Sequence, residues 1–196
     1  MNENWHRAQA RFRMMDVNGN GHLDRRDFEL LALQVIEALG EPAQSVKSAA
    51  LIAGYRDYWH TVIAPMDSDG DGQVSAEEYA QGAVSVAALP GGRPQYAAPI
   101  AALADRDGDG MIELDDFVAC MTAVGFSPGY SGTLYAELAD PTGGRLATGA
   151  WVAEISRYYT ADAIRTSDDL LAGEYAGAGR GVTRPGARAG SLHGSA

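Results

Sequence analysis

Apolar residues recur along this chain at spacings of three and four, and each run breaks off at a polar, glycine-containing segment of similar length. Phe12 and Met15 precede the first such segment, and Phe28 and Leu31 follow it. Trp59, Val62, Ile63 and Met66 lead into the second, with Tyr79, Ala83 and Val86 beyond. Ile100 and Leu103 lead into the third, and Phe117, Cys120, Met121 and Val124 come after. Residues three and four apart share one face of an α-helix, so each run predicts an amphipathic helix with a buried stripe. A further helix, Gly129 to Ala139, enters a fourth polar segment, after which Trp151, Val152, Ile155 and Tyr158 resume the stripe. The repeating unit is helix, loop, helix, four times over.

Breakers separate the units. Gly40-Glu41-Pro42 ends one helix, and a long helical stretch runs from about Ala43 to Pro65. Leu89-Pro90-Gly91-Gly92-Arg93-Pro94 is the strongest linker and divides the chain into halves. Ser127 followed by Pro128 reads as a helix N-cap with proline in the first turn. The predicted organisation is one pair of units over 5–89 and a second over 95–160. A terminal segment, 161–172, packs on the core, and a tail follows from 173 to 196. That tail is Gly- and Ala-rich with Arg180, Arg184 and Arg188, and cannot bury enough surface to offset its chain entropy. It is expected to be disordered.

The first three polar segments share a register of twelve residues. The second reads Asp67, Asp69 and Asp71 at positions 1, 3 and 5, Gly72 at 6, Gln73 at 7, Val74 at 8, Ser75 at 9 and Glu78 at 12. The third reads Asp105, Asp107, Asp109, Gly110, Met111, Ile112, Glu113 and Asp116. The first reads Asp16, Asn18, Asn20, Gly21, His22, Leu23, Asp24 and Asp27. A hard divalent cation such as Ca²⁺ takes six to eight oxygen ligands, and this spacing can supply them. Side-chain oxygens come from positions 1, 3, 5, 9 and 12, and the backbone carbonyl from position 7. The glycine permits a sharp turn, and the apolar residue at 8 bridges paired loops. His22 contributes its carbonyl, so its imidazole is incidental. These are the metal positions of an EF-hand.

Position 12 distinguishes the loops. Glu78 is long enough to chelate with both oxygens, whereas Asp27 and Asp116 are one methylene shorter and favour a single oxygen. That eases six-coordination, so Mg²⁺ is expected to compete at the loops starting Asp16 and Asp105, and the loop at Asp67 to be the most Ca²⁺-selective. The fourth segment keeps Asp140 and Thr142, loses one residue, and has Ala150 where a carboxylate is needed. It should hold no ion and serve as scaffold, through pairing of Leu146 with Ile112.

Charge sharpens this picture. The three loops carry three, five and six acidic residues against Arg25, Arg26 and Arg106, so they account for the entire net charge of −11. Acidity concentrated there is chemical, and it disfavours nucleic acid as a partner. No apolar run approaches the roughly 20 residues of a membrane helix, and the first residues show no secretory pattern. Cys120 is the single cysteine and falls on an apolar stripe, as do Trp59 and Trp151, read with Trp5 as core anchors. His6, His60 and His193 lack metal spacing. Neither 177–181 nor 129–133 completes a phosphate or nucleophile motif. With no catalytic constellation, the chain reads as a non-enzymatic, monomeric, cytoplasmic protein.

Four helix–loop–helix units with a linker at 89–94 resemble the sarcoplasmic calcium-binding protein family, and within it calerythrin-like actinobacterial members. The resemblance covers about residues 5–170. It rests on Asp27 closing the first loop, the long helix before the second, the Asp105 loop, and Arg157-Tyr158-Tyr159 followed by Thr166-Ser167-Asp168-Asp169. It implies an all-α globule of two EF-hand pairs packed face to face, with short β-bridges between paired loops, and a role in Ca²⁺ buffering. Two departures matter: the second loop, commonly degenerate there, is the best here, and the fourth is broken. The alternative role is a sensor acting on an unidentified protein partner. Sensors expose Met-rich grooves; the six methionines here are not expected to cluster, which favours the buffer.

Overall fold

The computed structural model describes residues 3–86 and 94–158. Most of the predicted linker, the terminal segment, the tail and the side chain of Trp5 lie outside the described residues. The first half consists of α1 (Glu3–Met15), β1 (His22–Leu23), α2 (Arg25–Ala38), α3 (Val46–Tyr58), β2 (Val74–Ser75) and α4 (Ala76–Val86). The second consists of α5 (Ala97–Ala104), β3 (Met111–Ile112), α6 (Leu114–Ala123), α7 (Pro128–Leu138), β4 (Leu146–Ala147) and α8 (Thr148–Tyr158). The expected class, all-α with two short bridges, is what forms.

Local chemistry sets the helix ends. Ser127 caps α7 by accepting from the Tyr130 N–H at 3.1 Å, with Pro128 where its missing N–H costs nothing. Ser45 accepts from the Ser48 N–H at 3.0 Å, so α3 starts at Val46 rather than near Ala43. Towards Pro65 the same helix loosens into a π turn, Trp59–Ile63, closed by the Ala64 N–H on the Trp59 carbonyl, and then a 3₁₀ turn, Ala64–Met66. Proline supplies no N–H and its ring crowds the carbonyl four residues back, so a regular α-helix cannot continue through it.

Each half is an antiparallel arrangement of two helix–loop–helix units joined at the loops. Leu23 pairs with Val74 across β1 and β2, and Ile112 with Leu146 across β3 and β4. All four side chains are fully buried. Above them lie Phe28 against Tyr58 and Trp59 in the first half, and Phe117 against Tyr135 and Trp151 in the second.

The halves share one core, because α3 packs on α5 and α2 on α6. At the α3–α5 crossing Tyr55 stacks on Tyr96 with centroids 4.3 Å apart, and Tyr58 meets the same ring edge-on at 5.2 Å. Gly54 makes this approach possible: a Cβ there would stand 2.8 Å from the Tyr96 Cα and 2.9 Å from the Gln95 carbonyl oxygen. The Lys47 ammonium also crosses between halves, donating to the Asp105 carbonyl at 2.6 Å.

Candidate metal centres

Each of the three twelve-residue loops folds around its first aspartate. The carboxylate oxygens accept from Asn20 and Gly21 N–H groups at Asp16, from Gly70 and Gly72 at Asp67, and from Gly108 and Gly110 at Asp105, all between 2.7 and 3.0 Å. Positions 3 and 5 repeat a local turn: Asn18, Asp69 and Asp107 each accept from the N–H two residues on, as do Asn20, Asp71 and Asp109. The result aims the side-chain oxygens of positions 1, 3 and 5 at a common point. In the second and third loops carboxylate oxygens of Asp67, Asp69 and Asp71, and of Asp105, Asp107 and Asp109, lie within 4.8 Å of one another. Such a convergence of hard oxygens suits a divalent cation of calcium's size. In the first loop asparagines replace two of those carboxylates.

The turn requires glycine twice per loop. Gly21, Gly72 and Gly110 at position 6 have φ between +84° and +86°, as the spacing predicts. Gly19, Gly70 and Gly108 at position 4 are also left-handed, at +70° to +76°. That second glycine recurs in register in all three loops, so the sequence itself marks position 4.

The position-12 carboxylates close the loops from the following helix. Glu78 accepts from the N–H and hydroxyl of Ser68 through one oxygen, and of Ser75 through the other, at 2.8–2.9 Å. These hydrogen bonds, the Ser75 N–H foremost, hold its carboxyl down at about 2. Asp27 finds equivalent donors despite its shorter arm: Val17 and Asn18 N–H at 3.1 and 3.2 Å on one oxygen, and the Asp24 N–H at 3.0 Å on the other. It does so by being fully buried at the start of α2, where it completes a capping box with Asp24. Desolvation raises its pKa above the ordinary range, against the opposing pull of those backbone donors. Asp116 faces Arg106 at 3.5 Å.

The remaining positions fall where the register puts them. His22, Gln73 and Met111 occupy or immediately precede the bridge strands, and the His22 side chain is exposed, away from any ligating role. Asp24, Ser75 and Glu113 stand at position 9 beside the loops. In the fourth segment Asp140 still accepts from the Thr142 and Gly143 N–H groups, so the turn survives without the oxygens of positions 5 and 12. The Tyr135 hydroxyl ties this segment to its partner by donating to the Ile112 carbonyl at 2.8 Å. Cys120 is fully buried, and burial pushes its thiol pKa up.

The methionines depart from expectation. The adjacent Met14 and Met15 and the distant Met121 converge on one cavity of about 120 Å³ between the halves, together with Tyr55, Tyr96 and Trp151.

Helix–loop–helix units joined in pairs by a two-residue antiparallel bridge, with oxygen ligands in a twelve-residue register, define an EF-hand protein. The EF-hand domain pair model matches residues 6–84, and a second EF-hand domain pair model matches 102–123. A calcium-binding protein of Streptomyces coelicolor is 31% identical, with a TM-score of 0.71 over 80% of this chain and 98% of that one. The sarcoplasmic calcium-binding protein beta chain of Penaeus sp. is 35% identical over 72 residues, 35% of this chain and 36% of its own length. The matched region thus spans about a third of that curated relative. Calcium-loaded apo-aequorin from Aequorea victoria shares the fold at 17% identity, with a TM-score of 0.64 over 81% of this chain and 92% of that one. The chain belongs to the EF-hand calcium-binding proteins and, over about a third of its length, is similar to those of the sarcoplasmic type.

Proposed function

We propose that this protein is a cytoplasmic Ca²⁺ buffer that takes up three ions, one in each of the loops 16–27, 67–78 and 105–116. The observation that supports this most is the joint core of the two halves. EF-hand sensors respond by swinging paired helices apart to uncover an apolar groove. Here the helices that would have to swing are held across the halves by the Tyr55–Tyr96 stack and the Gly54 contact. The loops are also already folded around their position-1 carboxylates, so ion uptake asks for little rearrangement. The loop at Asp67, with three aspartates and Glu78, is the most Ca²⁺-selective, while Mg²⁺ competes at the other two.

The test is a Ca²⁺ titration of the full chain with and without millimolar Mg²⁺, followed by a hydrophobic dye. Three binding steps, two of them weakened by Mg²⁺, and no Ca²⁺-dependent dye signal are expected. Glu78→Gln should remove the tightest step. If Glu78→Gln were nearly silent while Asp27→Asn or Asp116→Asn removed that step, the order of sites would be wrong.

A sensor is the second reading, and one specific feature favours it. Met14, Met15 and Met121 supply adaptable, polarizable surface around the cavity between the halves. The Streptomyces coelicolor relative is described in terms of prokaryotic calcium-mediated regulation. Strong Ca²⁺-dependent dye binding would establish this reading over the buffer, with a protein partner docking on the uncovered surface.

A further inference from the structure

Loop 105–116 carries the most carboxylates of the three, six against five and three. Among the described residues, it is also where side-chain cations pair with position-register carboxylates. Arg106 lies 3.5 Å from Asp116. More telling is Arg145, which belongs to the broken fourth segment. Its Nη2 reaches across the paired loops to within 2.8 Å of the Asp109 Oδ2 and 2.6 Å of the Glu113 Oε1. Those are positions 5 and 9 of the third loop. The arginines near the first loop do otherwise: Arg25 and Arg56 both pair with Glu29, outside the register.

We propose that Arg145 sets the ion affinity of loop 105–116, so that the fourth segment acts on its neighbour as a tethered competing cation as well as a scaffold. The inference rests on the reading that this loop binds Ca²⁺. The Asp109 Oδ1 is held by the Met111 N–H at 2.9 Å while its other oxygen carries the guanidinium. An ion bound through Asp109 must therefore share that carboxylate's charge with Arg145 or displace it. Either outcome weakens binding. The guanidinium is not needed to hold the loops together. β3 and β4 pair through Ile112 and Leu146, and the Tyr135 hydroxyl donates to the Ile112 carbonyl at 2.8 Å, with the Gly144 carbonyl oxygen 3.3 Å away.

The size of the effect follows from Coulomb's law. A unit charge roughly 6 Å from a divalent ion in water changes the binding constant by about tenfold. Screening at physiological ionic strength reduces this to about threefold.

The experiment is a chelator-competition Ca²⁺ titration of the full chain as wild type, Arg145→Gln, Arg145→Lys, Asp105→Asn and the Asp105→Asn/Arg145→Gln double variant, at low and physiological KCl. Asp105→Asn should remove one binding step, which identifies the site. Arg145→Gln should tighten that same step, by about tenfold at low salt and about threefold at physiological salt. Arg145→Lys, which keeps the charge, should stay near wild type. The double variant should match Asp105→Asn. If Arg145→Gln loosens the step, Arg145 shapes the loop and the proposal is overturned; a silent Arg145→Gln overturns it equally. If Asp105→Asn removes no step, the reading of the loop itself fails and the proposal falls with it.

Discussion

Replacing Gly54 by alanine tests whether the two halves depend on one another. In an unconstrained helix this change should help, since alanine is favoured over glycine by about 1 kcal/mol. At Gly54 the new methyl meets backbone: the Tyr96 Cα at 2.8 Å, the Gln95 carbonyl oxygen at 2.9 Å and the Gln95 carbonyl carbon at 3.1 Å. Ordinary contact begins near 3.4 Å, so α3 and α5 must part by several tenths of an ångström. No side chain can swing aside to spare them. Overpacking of this kind costs about 1–3 kcal/mol. Loosening the Tyr55–Tyr96 stack adds up to about 1 kcal/mol. Against the helix-propensity gain of about 1 kcal/mol, the net loss falls between about zero and about 3 kcal/mol, with a mid-range value of about 1.5 kcal/mol. For a chain of this size the mid-range value lowers Tm by roughly 3–6 °C. Gly132, in the middle of α7 with nothing within 4 Å of its would-be Cβ, is the internal control. Gly132→Ala should raise Tm while Gly54→Ala lowers it, both followed by circular dichroism in EDTA. A Gly54→Ala protein stabilised as much as Gly132→Ala would mean that the α3–α5 approach is not tight and that the halves are not held as one core.

Other outcomes follow from single contacts. In EDTA, a carboxyl-resolved NMR titration should find Glu78 ionised down to about pH 2 and Asp27 titrating above the ordinary aspartate range. The signs differ: the Glu78 contribution to stability is complete above its unfolded value near 4.5 and lost as pH falls through about 2. That of Asp27 is complete below 3.8 and lost as pH rises through its elevated folded value, so ion-free protein should gain from this group on mild acidification. Cys120 should resist a thiol reagent in the native state and react only at the rate of unfolding, since it is fully buried and its thiolate disfavoured. Leu146→Ala should cost about 2–5 kcal/mol in stability by opening a cavity at a fully buried position. It should also weaken Ca²⁺ binding at loop 105–116 although Leu146 touches no ion, through looser side-chain packing beneath the β3–β4 pairing.

What the sequence discloses and what it conceals divide along a physical line. Helical stripes, caps, loop glycines and ligand register are local, repeating within a few residues, and these were legible; the twelve-residue spacing carried the three loops without any knowledge of packing. The position-4 glycines belong to the same class and could have been read from Gly19, Gly70 and Gly108. Contacts between units have no such period. Nothing in the run from Asp109 to Arg145 announces that a guanidinium 36 residues away in sequence will sit on a position-5 carboxylate. Nor does the sequence show that Met14 and Met15 meet Met121, since that depends on how α1 and α6 pack around the shared core. The π turn at Trp59–Ile63 lies between these cases: Pro65 is visible, but how the helix relaxes before it is decided by the fold.

The fourth segment shows why the distinction bears on function. Read by register alone it is a loop that has lost its oxygens, and its surviving features, Asp140, Gly144 and Leu146, suffice for scaffolding. Loss of a site's own ligands does not remove its influence on the paired site, because the β3–β4 bridge fixes the two loops side by side. Any charge placed on the degenerate loop is then held at short range from the ion in the competent one, where it costs no ligand and leaves the turn intact. Residue 145 occupies such a place. A positive, neutral or negative side chain there would set three different affinities for loop 105–116 with the same six ligand residues, so the degenerate hand is the part of the pair through which affinity can be changed without rebuilding the site.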